Sequence, residues 1–199
     1  MSDTPDGVGE ATGPAPPRLT DGVVTLRLET EADAEPMTAC LSEWDTAQWM
    51  VSVPHPYPHQ ESLDWITGVV PRGWSSGSEF WLAIGDGESD EFLGEVGLRV
   101  PEPRTGCGEI GYWLVPTARG RGLMRRALIL FIDWAFAELS LERIDWSASV
   151  GNDDSWKVAQ ALGFQHEGVR RRRAFRVADG TRHDEWVAGL LRADWHPRG

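Results

Sequence analysis

The sequence predicts a single α/β domain: a mixed, splayed sheet of about seven strands flanked by helices. Residues Glu109–Val115 are aromatic and β-branched and stop at Pro116, which indicates a strand that ends in a loop. From Met124 the apolar residues recur at helical spacing, and Leu141–Val150 then alternates like a half-buried strand. A helix between two strands makes the strands parallel neighbours, and 199 residues suffice for one well-filled core.

The remaining segments extend this unit on both sides. Residues 1–20 are rich in proline and glycine, so we expect a disordered tail before a domain that spans residues 21–195. Helices are predicted from Thr30 or Asp33 to about Trp44, near Trp49, over Glu61–Val70, and after Asn152 up to Gly163. Further strands are predicted at Val23–Glu29, Glu79–Ile84 and Glu91–Val100, and in a C-terminal hairpin that turns at residues 178–181.

Composition excludes several classes of protein. The net charge of −12 argues against nonspecific nucleic-acid binding and is compatible with cationic amine substrates. Cys40 and Cys107 have no disulfide or metal-ligand spacing, so we expect reduced thiols, a cytoplasmic protein and no metal. No segment resembles a signal peptide or a membrane span, so we expect no membrane association.

The loop between the central strand and helix has the features of an anion site. Gly120 and Gly122 let an anion approach the backbone, and the first N–H groups of the following helix have no intrahelical partner. The loop residues also supply positive charge, through Arg119, Arg121, Arg125 and Arg126. The alternative is a tight turn with solvated arginines. The glycine spacing fits neither a P-loop nor a dinucleotide-binding fingerprint.

The loop is similar to the R-x-x-G-x-(G/A) coenzyme A loop of the GCN5-related N-acetyltransferases (GNAT), with Met124 at the last position instead of glycine or alanine. A second motif of that family is matched by Asn152, Ser155, residues 162–164 and residues 167–168. From about Val23 to Leu191 the chain resembles the branch that acetylates ribosomal-protein alanine N-termini (RimJ/RimL). The resemblance implies acetyl-CoA as co-substrate. The implied coenzyme-binding residues are Leu114, Val115, Arg119, Gly120, Arg121, Gly122, Leu123, Met124, Arg125, Asn152 and Ser155.

Two residues are candidates for the proton transfers of such a reaction. Glu109 is the candidate base, because a carboxylate on a mostly apolar strand is costly unless it is solvated or used. The alternative is a Glu109 that is simply exposed or paired with an arginine. Ser155 is the candidate proton donor, since Ala159 stands where many relatives have a tyrosine; its alternative is a helix cap, as it is for Asn152.

The acceptor side of the site is less well defined by sequence. The stiff segment Val53–His59 contains three prolines, and by resemblance it lines the acceptor pocket. The substrate-contact candidates are Trp49, His55, Tyr57 and Arg171. For His55 and Tyr57 the alternative is a surface aromatic packed on a helix, and for Trp49 it is a tryptophan that only packs, without a chemical role. For Arg171, within the run Arg170–Arg173, the alternative is a solvated sheet edge, because residues on a strand alternate faces.

The sequence therefore predicts an acetyl-CoA-dependent N-acetyltransferase. The acceptor implied by the resemblance is the α-amine of a protein N-terminus. A small amine, such as an amino acid, a polyamine or an antibiotic, is the close alternative. A non-catalytic acyl-CoA sensor is the alternative of another class, and a homodimer is possible.

Overall fold

The computed structural model describes residues 13–196, and eight strands in this range form one sheet. The strands are β1 (Leu19–Thr20), β2 (Val24–Arg27), β3 (Glu79–Asp86), β4 (Phe92–Arg99), β5 (Cys107–Leu114), β6 (Arg143–Ser149), β7 (Gln165–Arg176) and β8 (Thr181–Leu191). Their order across the sheet is β1-β2-β3-β4-β5-β6-β8-β7. The prediction of about seven strands differs from this sheet only by the two-residue strand β1.

Strand β1 corrects the predicted extent of the tail. Asp21 Oδ1 accepts hydrogen bonds from the amides of Val23 (2.9 Å) and Val24 (3.0 Å), and Gly22 has φ +84°. This turn folds Leu19–Thr20 back onto β2 in antiparallel register. The prediction of disorder up to residue 20 is therefore wrong for these two residues, while residues 1–12 lie outside the described part of the chain.

Six α-helices lie between the strands in residues 13–196. They are α1 (Ala34–Ser42), α2 (Trp44–Ala47), α3 (His59–Asp64), α4 (Val70–Ser76), α5 (Leu123–Glu138) and α6 (Asp153–Ala161). A π-helical turn at Trp65–Val69 joins α3 to α4, so the predicted helix at residues 61–70 is part of a longer helical segment. Within residues 13–196, none of the helices has both the length and the apolar character that crossing a bilayer requires.

Helices cover both faces of the sheet. Helix α5 packs on β2, β4 and β5, and its Phe131 and Ile132 are completely buried in the larger core. A smaller apolar cluster contains Met37 of α1, Ile66 of the π-helical turn and Trp113 of β5. Because side chains alternate along a strand, Trp113 faces away from its neighbours in β5 that contact the larger core. The two clusters therefore lie on opposite faces of the sheet.

Strands β5 and β6 are parallel, as predicted from the order of the elements. Their register runs from Cys107 opposite Arg143 to Ile110 opposite Trp146, and it stops there although both strands continue. Beyond this point β5 keeps its pairing with β4 up to Leu114, and β6 keeps its pairing with β8 up to Ser149. The two strands thus diverge and leave a gap between their C-terminal halves, which confirms the splayed sheet.

Candidate active site

The loop that leads from β5 into α5 has the backbone conformation of an anion cradle. Gly120 and Gly122 have φ of +71° and +75°, which L-residues rarely adopt, and a Cβ at either position would meet no atom within 4 Å. Gly122 is the N-cap of α5, and no side chain of the described residues caps that helix end. The first amides of α5 are therefore available to an anion, with open space above the loop.

The arginines in and next to this loop differ in their contacts. Arg119 donates from Nε to the carbonyl of Leu114 (2.9 Å) and from its second terminal nitrogen to Thr46 Oγ1 (2.7 Å), so it ties the loop to β5 and α2. Arg126 pairs with Asp21 at 2.7 Å. Arg121 and Arg125 form no ion pair within residues 13–196, which leaves their charges available to a ligand. The predicted role of Arg119 is thus first a structural one.

The backbone groups of Leu114 and Val115 are predicted to pair with pantetheine, and the Val115 amide already has a partner within the protein. The Val115 amide donates to the Leu93 carbonyl (2.9 Å), and the Val115 carbonyl accepts from the Ala118 amide (3.0 Å). The Val115 amide is therefore not available to pantetheine, whereas its carbonyl keeps a second lone pair and can still accept a hydrogen bond. Backbone groups alternate in direction along a strand, so those of Leu114 point toward the gap. Its carbonyl accepts from Arg119, which leaves the Leu114 amide as a donor at the gap.

Helix α6 begins at the gap and brings Ser155 to it. Asn152 Oδ1 accepts from the Ser155 amide at 3.3 Å, so Asn152 caps the helix, as its alternative interpretation proposed. Ser155 Oγ lies 3.1 Å from Tyr112 Oη and 3.3 Å from Trp146 Nε1. Tyr112 was not singled out by the sequence analysis. The feature that could have revealed it is a phenol among otherwise apolar residues on that face of β5. Burial raises the pKa of Tyr112 to about 12.

Glu109 borders a cleft of about 330 Å³ that lies over the paired halves of β5 and β6 and extends to β7 and β8. Its polar lining residues are Thr105, Glu109, Asp145, Ser147, Glu167 and Arg170. Glu109 is exposed, and its Oε1 accepts from Ser147 Oγ at 2.7 Å. Successive side chains of a strand point to opposite faces, so the Glu109 side chain lies on the face opposite to Ile110 and Tyr112. Ser155 contacts Tyr112, so Glu109 and Ser155 lie on opposite faces of the sheet.

Within residues 13–196, every charged side chain that lines the cleft has an ion-pair partner except Glu109. Arg143 pairs with Asp145 at 2.6 Å and with Glu167 at 2.6 Å, and these contacts lower the pKa of Glu167. Arg170 Nε lies 2.8 Å from Glu185 Oε2, an ion pair whose geometry falls short of a hydrogen bond. Among the described residues, no cationic side chain pairs with Glu109. A cationic amine that enters this cleft therefore meets one carboxylate without an ion-pair partner, Glu109, and two carboxylates, Asp145 and Glu167, that share a single arginine.

The predicted acceptor residues do not line this cleft. Trp49 approaches Gly151, just beyond the end of β6, where a Cβ on Gly151 would be 3.9 Å from the indole. His55 is exposed and packs edge-on against Trp44, with ring centroids 5.3 Å apart. Tyr57 is half-buried against the smaller apolar cluster, and burial raises its pKa to about 12. For His55 and Tyr57 the packing interpretation accounts for the contacts.

The arginine run on β7 does not form a regular strand. Arg170 is opposite Glu185 and Ala174 is opposite His183, so three arginines of β7 face a single residue of β8. Arg172 has φ +50°, and its amide donates to Asp184 Oδ1 at 2.8 Å. The expectation that alternate arginines share a face is therefore wrong, because this bulge interrupts the alternation. Arg171 remains exposed.

A second feature that the sequence did not reveal is a pair of buried carboxyl groups. Glu29 and Glu95 are 8% and 5% exposed, and neither Glu29 oxygen has a hydrogen-bond partner. Glu95 accepts from the indole N–H groups of Trp65 and Trp113. Burial, reinforced by the nearby Glu95, raises the pKa of Glu29 well above its ordinary value, and burial also raises the pKa of Glu95. Both carboxyl groups therefore keep their protons to a higher pH than exposed glutamates do.

The gap, the anion cradle and the two proton-transfer candidates define an acyltransferase type of site. A family model for the acetyltransferase (GNAT) domain matches residues 24–165, which is more than half of the chain. The chain therefore belongs to the GNAT acetyltransferase family, which confirms the predicted family and enzyme class.

Individual relatives agree with this assignment. The chain is 28% identical over 180 residues to YdaF of Bacillus subtilis (strain 168), which is provisionally named a ribosomal N-acetyltransferase; the match covers 86% of this chain and 93% of YdaF. The ribosomal-protein-S5-alanine acetyltransferase from Vibrio fischeri has a TM-score of 0.75 at 23% identity, covering 90% of this chain and 99% of that one. RimL, a ribosomal L7/L12 alpha-N-protein acetyltransferase solved with coenzyme A, has a TM-score of 0.75 at 20% identity, covering 86% and 96%. These two structures establish the shared fold.

Proposed function

We propose that this acetyltransferase uses acetyl-CoA to acetylate the α-amine of a protein N-terminus. The observation that carries the proposal is the point where β5 and β6 begin to diverge. Glu109 lies one residue before the last paired position, on one face of the sheet, and Ser155 lies on the other face. A proton acceptor and a proton donor on opposite faces suit a reaction in which the amine and the thioester meet inside the gap.

The residues around the gap fit coenzyme A. The uncapped amides of α5, together with Arg121 and Arg125, would hold its phosphates, and the open space above Gly120 and Gly122 leaves room for them. The Leu114 amide would donate to the bound molecule along the edge of β5. When bound, acetyl-CoA supplies the acetyl thioester.

Glu109 takes a proton from the incoming amine, directly or through a water molecule. A protonated amine has no lone pair with which to attack, so the Glu109 carboxylate both attracts the ammonium group and deprotonates it. Ser155 Oγ holds the proton that the departing sulfur requires. Starting from the ammonium form, the overall reaction moves one proton from nitrogen to sulfur and releases one to solvent.

The choice of acceptor rests on the relatives. RimL and the Vibrio fischeri enzyme are named for ribosomal proteins, and RimL for α-amine acetylation. An open cleft lined by carboxylates suits any primary amine, so a small amine remains the second candidate. A non-catalytic sensor is favoured less, because such a protein has no need for both Glu109 and Ser155 at the gap.

A panel of acceptors tests the proposal. We would measure coenzyme A release from acetyl-CoA with N-terminal peptides, free amino acids, polyamines and aminoglycosides, and map the products by mass spectrometry. We expect a mass gain of one acetyl group on a peptide α-amine. Acetylation of small amines alone would replace this proposal with its first alternative. Tight binding of acetyl-CoA without transfer to any acceptor would favour the sensor.

Substituting Gly122 tests the coenzyme loop. A valine at φ +75° costs about 1–2 kcal/mol of backbone strain and shifts the first amides of α5. We therefore expect Gly122→Val to weaken acetyl-CoA binding about tenfold, measured by calorimetry. The control is Gly180→Val, which introduces the same strain at φ +71° in the β7–β8 turn, far from the loop. Equal dissociation constants for both variants and the wild type would remove the loop from the coenzyme site.

We also propose a cytoplasmic location. Cys40 and Cys107 are both free thiols, as is usual for proteins of a reducing compartment.

A further inference from the structure

Three polar side-chain atoms meet on the face of the sheet that carries α6, where β5 and β6 begin to diverge. Tyr112 lies two positions beyond Ile110, the last residue of β5 that pairs with β6. Its Oη lies 3.0 Å from the Ser155 carbonyl, 3.1 Å from Ser155 Oγ and 3.0 Å from Trp146 Nε1. Both diverging strands and the first turn of α6 thus contribute to one hydrogen-bond cluster.

The chemistry of the groups fixes the direction of each hydrogen bond. A carbonyl only accepts and an indole N–H only donates. The single proton of Tyr112 is therefore committed to the Ser155 carbonyl, and Trp146 donates to Tyr112 Oη and Ser155 Oγ. The bond between the two hydroxyls must then be donated by Ser155. Since burial raises the pKa of Tyr112 to about 12, the phenol keeps its proton at neutral pH and this arrangement persists.

We infer that Tyr112 is a positioning residue that holds the Ser155 hydroxyl at the gap. The inference rests on the proposed function, in which Ser155 supplies the proton for the departing sulfur. A serine side chain has three staggered rotamers, and the contacts with Tyr112 and Trp146 select one of them. This selection has catalytic value, because a proton donor must lie within hydrogen-bond reach of the atom it protonates. With Oγ held in place, rotation about the Cβ–Oγ bond turns the Ser155 proton from Tyr112 Oη to the departing sulfur.

The cost of the phenol supports a specific role. Desolvating a hydroxyl costs free energy that its hydrogen bonds must offset, and a phenylalanine would fill the same space without needing these three partners. The competing explanation is that the phenol only fastens β5 to α6 through the Ser155 carbonyl. The two explanations differ in whether the effect of removing Oη depends on the Ser155 side chain.

A double-mutant cycle separates them. We would measure kcat, KM for the acceptor and the calorimetric dissociation constant of acetyl-CoA for Tyr112→Phe, Ser155→Ala and the double variant. We expect Tyr112→Phe to lower kcat about tenfold, with KM and the dissociation constant within about twofold of the wild type. In the Ser155→Ala background the same substitution is expected to have no further effect on kcat.

The matched control is Thr38→Val, which also removes a hydroxyl that contacts a backbone carbonyl, that of Ala34 at 2.7 Å, and a serine hydroxyl, Ser62 Oγ at 2.7 Å, but in helix α1. Its kcat per folded molecule is expected to equal that of the wild type. If Tyr112→Phe does not fold, Trp146→Phe replaces it in the cycle, because it removes the donor shared by both hydroxyls.

Two outcomes would overturn the inference while leaving the proposed function intact. One is an unchanged kcat for Tyr112→Phe in an active enzyme. The other is an equal loss of kcat in the presence and absence of the Ser155 hydroxyl, which would identify a purely structural contact. A wild-type protein that acetylates no amine would instead overturn the proposed function, and the inference with it.

Discussion

Replacing Glu109 by glutamine is expected to lower kcat/KM about 100-fold near pH 7. The substitution keeps the size of the side chain and can keep a contact with Ser147, but it removes the one carboxylate of the cleft that pairs with no cationic side chain among the described residues. Binding of acetyl-CoA is expected to be unchanged, since Glu109 lies on the face of the sheet opposite to Ser155. Steady-state kinetics and calorimetry measure the two quantities.

The defect of Glu109→Gln should depend on pH. An α-amine has a pKa of about 8, so it needs a base below that pH and is already neutral at about pH 9.5. The loss of activity is therefore expected to be largest at low pH and to shrink as the pH rises. Glu91→Gln, at an exposed position outside the cleft, is the control for the change in net charge. Equal pH profiles for Glu109→Gln and the wild type would exclude Glu109 as the base.

Replacing Glu29 by glutamine is expected to stabilise the fold at alkaline pH. The folded state raises the pKa of Glu29 through burial and the nearby Glu95. As the pH rises from the unfolded-state pKa to the higher folded-state pKa, the unfolded chain loses the proton that the folded chain keeps. The free energy of unfolding therefore falls with rising pH across this window. Glutamine cannot ionise, so in the Glu29→Gln variant this residue no longer lowers the free energy of unfolding as the pH rises.

The expected gain for Glu29→Gln is about 2 kcal/mol at pH 8.5, the scale of an uncompensated buried charge after relaxation. Near pH 4, where Glu29 is protonated in both states, the change is expected to be close to zero. Urea unfolding at the two pH values measures the difference, and Glu88→Gln in an exposed turn is the control. A destabilised variant at pH 8.5 would show instead that the Glu29 carboxylate is compensated in the folded protein.

The sequence by itself determined the central architecture. The change from alternating to helical spacing around Pro116 and Met124 identified strand, loop and helix, and this order predicted the parallel pair β5 and β6. Gly120 and Gly122 were recognisable because few other residues adopt their backbone conformations. These features depend on neighbours in the chain, and periodicity and local sterics reveal such features directly.

Only the tertiary structure decided which side chains meet at the gap. Tyr112 and Ser155 are on different elements, as are Glu29 and Glu95, and no local pattern reports a contact between them. Local patterns also do not report that the Val115 amide donates to the Leu93 carbonyl. Nor do they report the bulge at Arg172, which Asp184 of the facing strand stabilises. The physical reason is that backbone periodicity follows from adjacent residues. The environment of a polar group is set by the distant elements that pack around it and by the water they exclude.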